Sequence, residues 1–321
     1  ASLAYTGTMV WDNPPPKQGL NYSIIPYVLG TVGNSSIEDI TYDNEFKVGG
    51  DIKLGLTSSL NLDLTINPDF SQVEADRQVA NLTRFELFFP ERRQFFLENA
   101  DLFASFGYDN IRPFFSRRIG LGVPIIAGAR VSGNLNRNLR LGMMDMQTDK
   151  VDETGLPGQN FAVLSLQQKV FSRSNIGLMF VNKESLDYNS LTDSLQTQYT
   201  KFNRNLGLEY NLASADNQYN GKVFMLKSFG PDSTYNGFAQ GAHLEYSSRK
   251  WNWRVQQEYI SEDFTSEVGF VPRNNYIKLE GSVGHLFLPN SEKVVSHGPQ
   301  YTGFYYFDPS MNSTDYVSIL G

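Results

Sequence analysis

Acidic side chains are concentrated in the stretch INPDFSQVEADRQVANLTRFELFFPERRQFFLE at residues 66–98. A glycosidase needs two carboxylates facing each other across a cleft. Glu86 with Glu91, or Glu74 with Asp76, would meet that need by spacing alone. The same carboxylates lie among arginines, however, and salt bridges that anchor a folded segment explain them better. We therefore predict no catalytic residue here.

The sequence offers few residues for metal binding or for nucleophilic catalysis. Asp69, Glu74 and Asp76 are the residues that a bound Ca²⁺ would use, but they lack the EF-hand spacing, and no cofactor is predicted. With three His and no Cys, a histidine or thiolate metal site is not predicted. Ser282 is three residues from His285 and points to the opposite strand face, and no GxSxG element is present. A membrane-associated hydrolase stays an alternative only.

Composition excludes some classes of function. The net charge of −7 argues against a nucleic-acid partner. No run reaches the about 18 apolar residues of a membrane helix. The mean hydropathy of −0.35 suits a soluble protein, but membrane β-barrels also average out polar. No leader peptide is evident, so we expect a mature protein or a fragment.

Alternation with a period of two is the main structural signal, as in SLNLDLTIN at 59–67 and WNWRVQQEY at 251–259. KVFMLKSF at 222–229 does not alternate cleanly and is assigned as a strand by position only. About thirteen or fourteen strands are predicted, near 23–32, 46–56, 59–67, 124–135, 138–147, 160–171, 175–183, 201–212, 219–228, 237–247, 251–259, 276–287 and 299–307, with a last one in DYVSILG.

Short polar turns alternate with longer loops along these strands, which is typical of an outer-membrane barrel and not of a soluble sandwich. The fold class predicted is all-β, an antiparallel up-and-down transmembrane β-barrel. Because an open strand edge is not tolerated in lipid, we expect the barrel to be incomplete in this chain. Aromatic residues beside the short turns predict an interfacial girdle of Phe171, Tyr246, Trp251 and Trp253.

Residues 68–122 interrupt the strands at the rim that the strand count places outside the cell. Ordinary connections rarely exceed about 12–15 residues. This insert is also rich in phenylalanine and must bury that surface, so we expect it to fold into or over the lumen as a plug. A short helix is predicted around 73–88, stopped by Pro90.

Ion pairs between the insert and the wall are expected to hold this plug, because arginine binds carboxylates with two hydrogen bonds. The insert candidates are Asp69, Glu74, Asp76, Arg77, Arg84, Glu86, Glu91, Arg92, Arg93, Glu98, Arg117 and Arg118. The lumen candidates on the polar face of the strands are Asp63, Arg130, Arg140, Glu209, Glu245, Arg254 and Glu258.

The run NPDFSQVEADRQVANLTRFELFFPERRQFFLENADLF, with FFSRRIG at 114–120 and EVGFVPRNNY at 267–276, resembles a family of uncharacterised outer-membrane barrel domains. These domains commonly follow a family-nine-like carbohydrate-binding module. The resemblance covers most of residues 23–290. It implies an outer-membrane barrel, and its members are often described as membrane-associated hydrolases or carbohydrate-binding proteins.

Four segments are predicted: a periplasmic lead-in or linker at 1–22, first barrel strands at 23–67, a plug-like insert at 68–122, and remaining strands at 123–321. We predict a plugged channel, or a surface-binding barrel for a polar solute such as a glycan, in the outer membrane of a Gram-negative bacterium. A scaffold subunit of a larger outer-membrane complex is the alternative. The partners expected are outer-membrane lipid, other envelope proteins and a glycan.

Overall fold

The computed structural model describes residues 11–12, 21–33, 43–68, 70, 76, 78–151, 155–186, 188, 199–290 and 293–321. Short helices lie at Gln94–Leu97 (α1) and Asp101–Ala104 (α2). The strands are Tyr22–Gly33 (β1), Asp43–Gly55 (β2), Leu60–Ile66 (β3), Ile125–Asn134 (β4), Leu139–Thr148 (β5), Gln159–Val170 (β6), Ser174–Ser185 (β7), Phe202–Ala213 (β8), Tyr219–Phe229 (β9), Phe238–Ser247 (β10), Trp251–Ile260 (β11), Tyr276–His285 (β12), Gln300–Phe307 (β13) and Ser313–Leu320 (β14).

All 14 strands belong to one sheet in which each strand pairs antiparallel with the next, in the order β1 to β14. The predicted up-and-down architecture is therefore confirmed. β1 and β14 are not paired with each other, so the described sheet is an open barrel wall. The turn alternation weakens at the end of the chain, where residues 286–299 make a longer connection on the short-turn side. None of the described helices is long and apolar enough to cross a bilayer.

The two faces of the wall follow the predicted alternation. On β3, Leu62 and Leu64 share one face, whereas Asp63 and Thr65 share the other and are buried. We name the face of Asp63 the inner face, because the insert lies on it, and the opposite one the outer face. Exposed large apolar side chains spread over the outer face from β1 to β12: Ile24, Val28, Phe46, Val48, Ile66, Met143, Ile176, Leu206, Leu208, Val223, Met225, Val255, Leu279 and Val283.

The insert leaves the wall at Asn67, whose φ of 48° turns the chain away from β3. The Asn67 N–H donates to the Ile126 carbonyl and its side-chain amide donates to the Val48 carbonyl. The predicted helix at 73–88 is wrong over 78–88, where the chain is irregular. Helical turns instead follow Pro90, as α1 and α2. Proline restricts the residue before it, so this boundary limits helix on its N-terminal side.

One apolar core lies between the insert and the inner face. The insert contributes buried residues such as Phe96, Phe103 and Phe106. The wall contributes inward-facing residues of β4 to β7 and of β9 to β12, and the loop between β11 and β12 adds Phe264 and Val268. The aromatic surface that the sequence predicted must be buried is thus buried against the wall.

Candidate functional site: the insert and the inner wall

Glycines of the inner face make room for aromatic rings of the insert. A Cβ atom added to Gly207 would lie 2.5 Å from Cζ of Phe106, and one added to Gly142 would lie 2.8 Å from Cζ of Phe103. These positions face the insert, so any larger side chain would push the rings away. The glycines on β5 and β8 therefore shape the sockets in which the insert rests.

Wall charges bind the backbone of the insert directly after α2. The Gly107 N–H donates to Oε2 of Glu209 at 2.8 Å. Lys222 Nζ donates to the carbonyls of Ser105 at 2.7 Å and Gly107 at 2.8 Å, and also pairs with Glu209 at 3.0 Å. Two partners in the wall thus hold both polar ends of the same peptide segment. Glu209 was predicted as a lumen carboxylate, but its partner in the insert is a backbone amide.

A second polar contact fixes the tip of the insert to β11 and β12. The side-chain amide of Asn110 donates to Oε2 of Glu258 and lies 3.0 Å from the hydroxyl of Tyr276. The Tyr276 hydroxyl donates to the same Glu258 oxygen at 2.8 Å. Glu258 and Tyr276 are almost completely buried. Buried carboxylates need such partners, because an unpaired one costs several kcal/mol.

Glu98, directly after α1, and Asp101, the first residue of α2, bind residues of β2, β3 and β5. Glu98 accepts from Lys53 of β2 and from the Asn61 amide of β3, the latter at 2.7 Å. Asp101 pairs with Arg140 of β5 at 2.6 Å. These two contacts follow the prediction that insert acids meet basic residues of the wall.

The arginines of the insert pair differently from the prediction. In the ion pairs between described residues they bind acids of the insert itself: Arg92 and Arg117 to Asp76, Arg93 to Glu91, Arg118 to Glu86, and Arg112 to Asp109. The wall carboxylates are instead neutralised by neighbouring strands. The folded insert itself brings these acids and arginines together, because Arg117 and Asp76 are 41 residues apart and Arg118 and Glu86 are 32 apart.

Glu91 is the centre of this internal network. Its carboxylate accepts from Nη2 of Arg93 at 2.8 Å and from the Ser116 hydroxyl at 2.6 Å. Arg93 also donates to the carbonyls of Ser116 and Ile119. Burial favours a raised pKa for Glu91, but the hydrogen bonds and charge of Arg93, together with Ser116, outweigh it and lower the pKa below its usual range. Glu86 and Glu91 are each held by an arginine, which fits an anchoring role.

The remaining predicted residues lie in various places. Arg130 is buried and pairs with Asp63 at 2.8 Å under the ring of Phe95, while Arg254 pairs loosely with Glu245 at 3.7 Å. Arg84 is exposed beside the ring of Phe85. Asp69, Glu74 and Arg77 lie outside the described residues, so the Ca²⁺ prediction is not tested. Within the described residues, no group of three His, Asp or Glu is arranged to hold a metal ion.

The predicted girdle residues lie on the outer face near the short turns. Tyr246 and Trp253 stack with their ring centroids 5.9 Å apart, and Tyr219 contacts both. Trp251 packs edge-on against His285. Phe171 is exposed in the turn after β6.

The loop between β11 and β12 clamps the insert from the other side. Arg112 and Phe270 exchange two backbone hydrogen bonds, and the Phe115 N–H donates to the Val268 carbonyl at 2.7 Å. A Cβ atom on Gly269 would lie 2.2 Å from the Arg112 carbonyl oxygen, so this close approach requires glycine. EVGFVPRNNY and FFSRRIG, two motifs far apart in sequence, are thus parts of one packed unit.

A polar cavity of about 560 Å³ remains between the tip of the insert and the inner face of β9 to β12. Among the residues lining it are Tyr108 of the insert and Lys222, His243, Arg254, Gln256 and Glu280 of the wall. His243 Nδ1 and the Tyr108 hydroxyl lie 3.0 Å apart. Strand alternation puts His243 on the same face as Glu245, whereas Tyr108, Asn110, Lys222 and Tyr276 were not among the predicted site residues. For Lys222 and Tyr276 the only signal was a position on a strand, which shows a face and not a partner. Tyr108 and Asn110 lie in the insert, where no periodicity marks a face.

Phe264 and Phe270 are loop aromatic residues of the kind that can stack on a sugar. Both are buried, at 0 % and 5 % exposure, and belong to the core that holds the insert. They are therefore unavailable to a ligand at the surface.

The geometry defines an antiparallel up-and-down β-barrel wall with an insert on its inner face. A family described as a domain of unknown function (DUF5916) matches residues 19–138, which include the first four strands and the whole insert. No curated protein matches the chain.

Three solved structures are similar to the chain at a low level. A mutant porin of Rh. blastica has a TM-score of 0.34 and 9 % identity, covering 94 % of this chain and 90 % of that one. Acinetobacter baumannii OccAB2 has a TM-score of 0.31 and 10 % identity, covering 93 % and 84 %. OccD1 (OprD) has a TM-score of 0.32 and 9 % identity, covering 94 % and 85 %. The likeness is weak, and the fold is defined by the strand pairing of this chain.

Proposed function

We propose that this chain forms the wall of an outer-membrane barrel and that its insert closes the lumen as a plug. The protein would then control passage, or surface binding, of a polar solute such as a glycan. The outer face of the wall is the observation that supports a membrane location. Its exposed apolar side chains extend over most of the wall, far beyond a single patch, and a bilayer is the solvent that would cover such a surface.

The position of the insert supports the plug. It contacts inner-face residues from β2 through β12, including Lys53, Arg140, Lys222 and Glu258. A segment anchored to so many strands spans the lumen side of the wall instead of projecting from the rim. The anchors combine apolar sockets with backbone hydrogen bonds, so release of the insert requires several contacts to break together.

Single-channel conductance in a planar bilayer tests this function. We expect the intact protein to be silent or to open rarely, and a variant lacking residues 70–121 to give large, steady currents. Heat-dependent gel mobility shows whether each barrel is folded. If a folded deletion variant stays as silent as the intact protein, the plug is disproved.

A reversible tether provides a second test that does not delete the core. The Asn99 amide donates to the Ser132 hydroxyl at 3.1 Å, so cysteines in an Asn99→Cys/Ser132→Cys variant lie within reach of a short, reducible bis-maleimide crosslinker. The chain has no Cys, so the crosslinker would react at these two positions alone. We expect any openings of the intact protein to disappear on crosslinking and to return when the linker is reduced. Each single-cysteine variant is the matched control.

A further inference from the structure

We propose that the cavity between the insert tip and β9 to β12 binds a neutral, hydroxyl-rich solute about the size of a disaccharide. This inference rests on the proposed function and names its ligand class and its site. The volume of about 560 Å³ lies within the roughly 300–1,000 Å³ of small-molecule sites. The cavity is bounded by the insert on one side and by inward-facing residues of four neighbouring strands, β9 to β12, on the other.

The charges around the cavity cancel locally. Lys278 pairs with Glu280 at 2.7 Å and with Glu258 at 3.6 Å, and Lys222 pairs with Glu209. Arg112 pairs with Asp109, also at this cavity. Arg254, which also lines the cavity, pairs with Glu245 at 3.7 Å. Each charged side chain of the described residues that lines the cavity thus has an oppositely charged partner. A charged solute would lose hydration without gaining a new ion pair, so charge balance favours a neutral ligand.

The hydrogen-bonding groups form an ordered ladder on the inner face of β11. Arg254 donates to the Gln256 side-chain oxygen, and the Gln256 amide donates to Oε1 of Glu258 at 2.6 Å. Nε of Arg254 is buried without a hydrogen-bond partner in the protein. Glu280 adds an acceptor directly across from Gln256. A hydroxyl donates and accepts at once, so a polyol can satisfy groups of both kinds along this ladder.

Two rings complete the site: Tyr108 lies on the insert, and His243 lies on β10 directly beside Gln256. The rings of Tyr108 and His243 lie 5.5 Å apart and both line the cavity. Ring faces of this kind cover the C–H groups of a compact polar solute while the edges form hydrogen bonds. The mixture of amide, carboxylate, guanidinium and ring surfaces distinguishes this cavity from the apolar core beside it.

Calorimetric titration of the full chain in detergent micelles tests the site with maltose, cellobiose and lactose, and with anionic gluconate as the charged probe. We expect at least one disaccharide to bind more tightly than gluconate. A Gln256→Leu variant should weaken that binding by about tenfold or more. Gln257→Leu is the matched control, because Gln257 is the next residue on β11 and faces the outer side.

Three results would overturn the inference: no disaccharide binding, tighter binding of gluconate, or equal binding by the Gln256→Leu and Gln257→Leu variants. The circular dichroism spectrum of each variant verifies the fold. Because titration in micelles needs no conductance, the two proposals can fail separately. Disaccharide binding by a protein that conducts freely would keep the site and refute the plug. A barrel that is silent when intact and conducts after deletion of the insert, but binds no disaccharide, would support the plug and refute the binding site.

Discussion

Neighbouring residues of β9 show the two faces of the wall most clearly. Val223 and Met225 are 55 % and 58 % exposed, whereas Phe224 and Leu226 are 2 % and 0 % exposed. All four are apolar, which is why KVFMLKSF does not alternate. The outer pair faces the surface that we assign to the bilayer, and the inner pair packs in the core with the insert. On β9, the loss of alternation therefore marks a place where the apolar core under the insert meets the wall.

The largest effect on stability is expected from truncating an inner-face residue of β9. Phe224→Ala removes a ring that contacts Tyr108 at 4.9 Å and Phe106 at 6.4 Å between centroids. We expect a loss of about 3–5 kcal/mol in the free energy of unfolding. Val223→Ala, on the outer face, should cost about 1 kcal/mol or less. Urea titration in micelles, followed by tryptophan fluorescence, measures both, and equal losses would contradict the comparison.

A smaller effect is expected from adding one methyl group to a socket. Gly207→Ala places a Cβ within 2.6 Å of both the Phe106 ring and the Leu226 side chain. Overpacking of this kind costs about 1–3 kcal/mol. Gly281→Ala is the matched control, since its Cβ would meet nothing within 4 Å.

Trypsin cleavage at the exposed Arg84 gives a second measurement for the socket variants. A loosened insert should be cut faster in Gly207→Ala than in Gly281→Ala. Identical cleavage and identical stability in the two variants would show that the sockets do not hold the insert.

The smallest effect is expected in the pH dependence of the stability of the insert. Because the folded pKa of Glu91 is lowered, its contribution to stability is complete above the ordinary glutamate pKa of about 4.3 and is lost as the pH falls through the lowered value. We expect acid-stable pepsin to cut the insert faster as the pH falls through this window. Glu91→Gln should flatten that dependence, and Glu86→Gln, at a more exposed pair, should leave it unchanged.

Alternation in the sequence was sufficient to predict where the strands lie and which residues share a face. The reason is that a pleated strand must place successive side chains on opposite sides. Asp63, Arg130, Glu209 and Glu258 were assigned to one face on that basis, and they share it. The insert could be located because a long aromatic segment between strands has to bury its surface. Helix limits and pairing partners were beyond such reasoning, as the irregular chain at 78–88 shows.

The sequence by itself thus determined a meander of amphipathic strands interrupted by one segment that needs a core, since both features depend on local periodicity and composition. Only the tertiary structure decided that Arg93 binds Glu91 and not the wall, that Lys222 and Glu209 grip the backbone at Gly107, and that residues 267–270 pack on 112–118. These contacts join residues distant in the chain. Several partners of equal charge compete for each, and only packing in three dimensions selects among them.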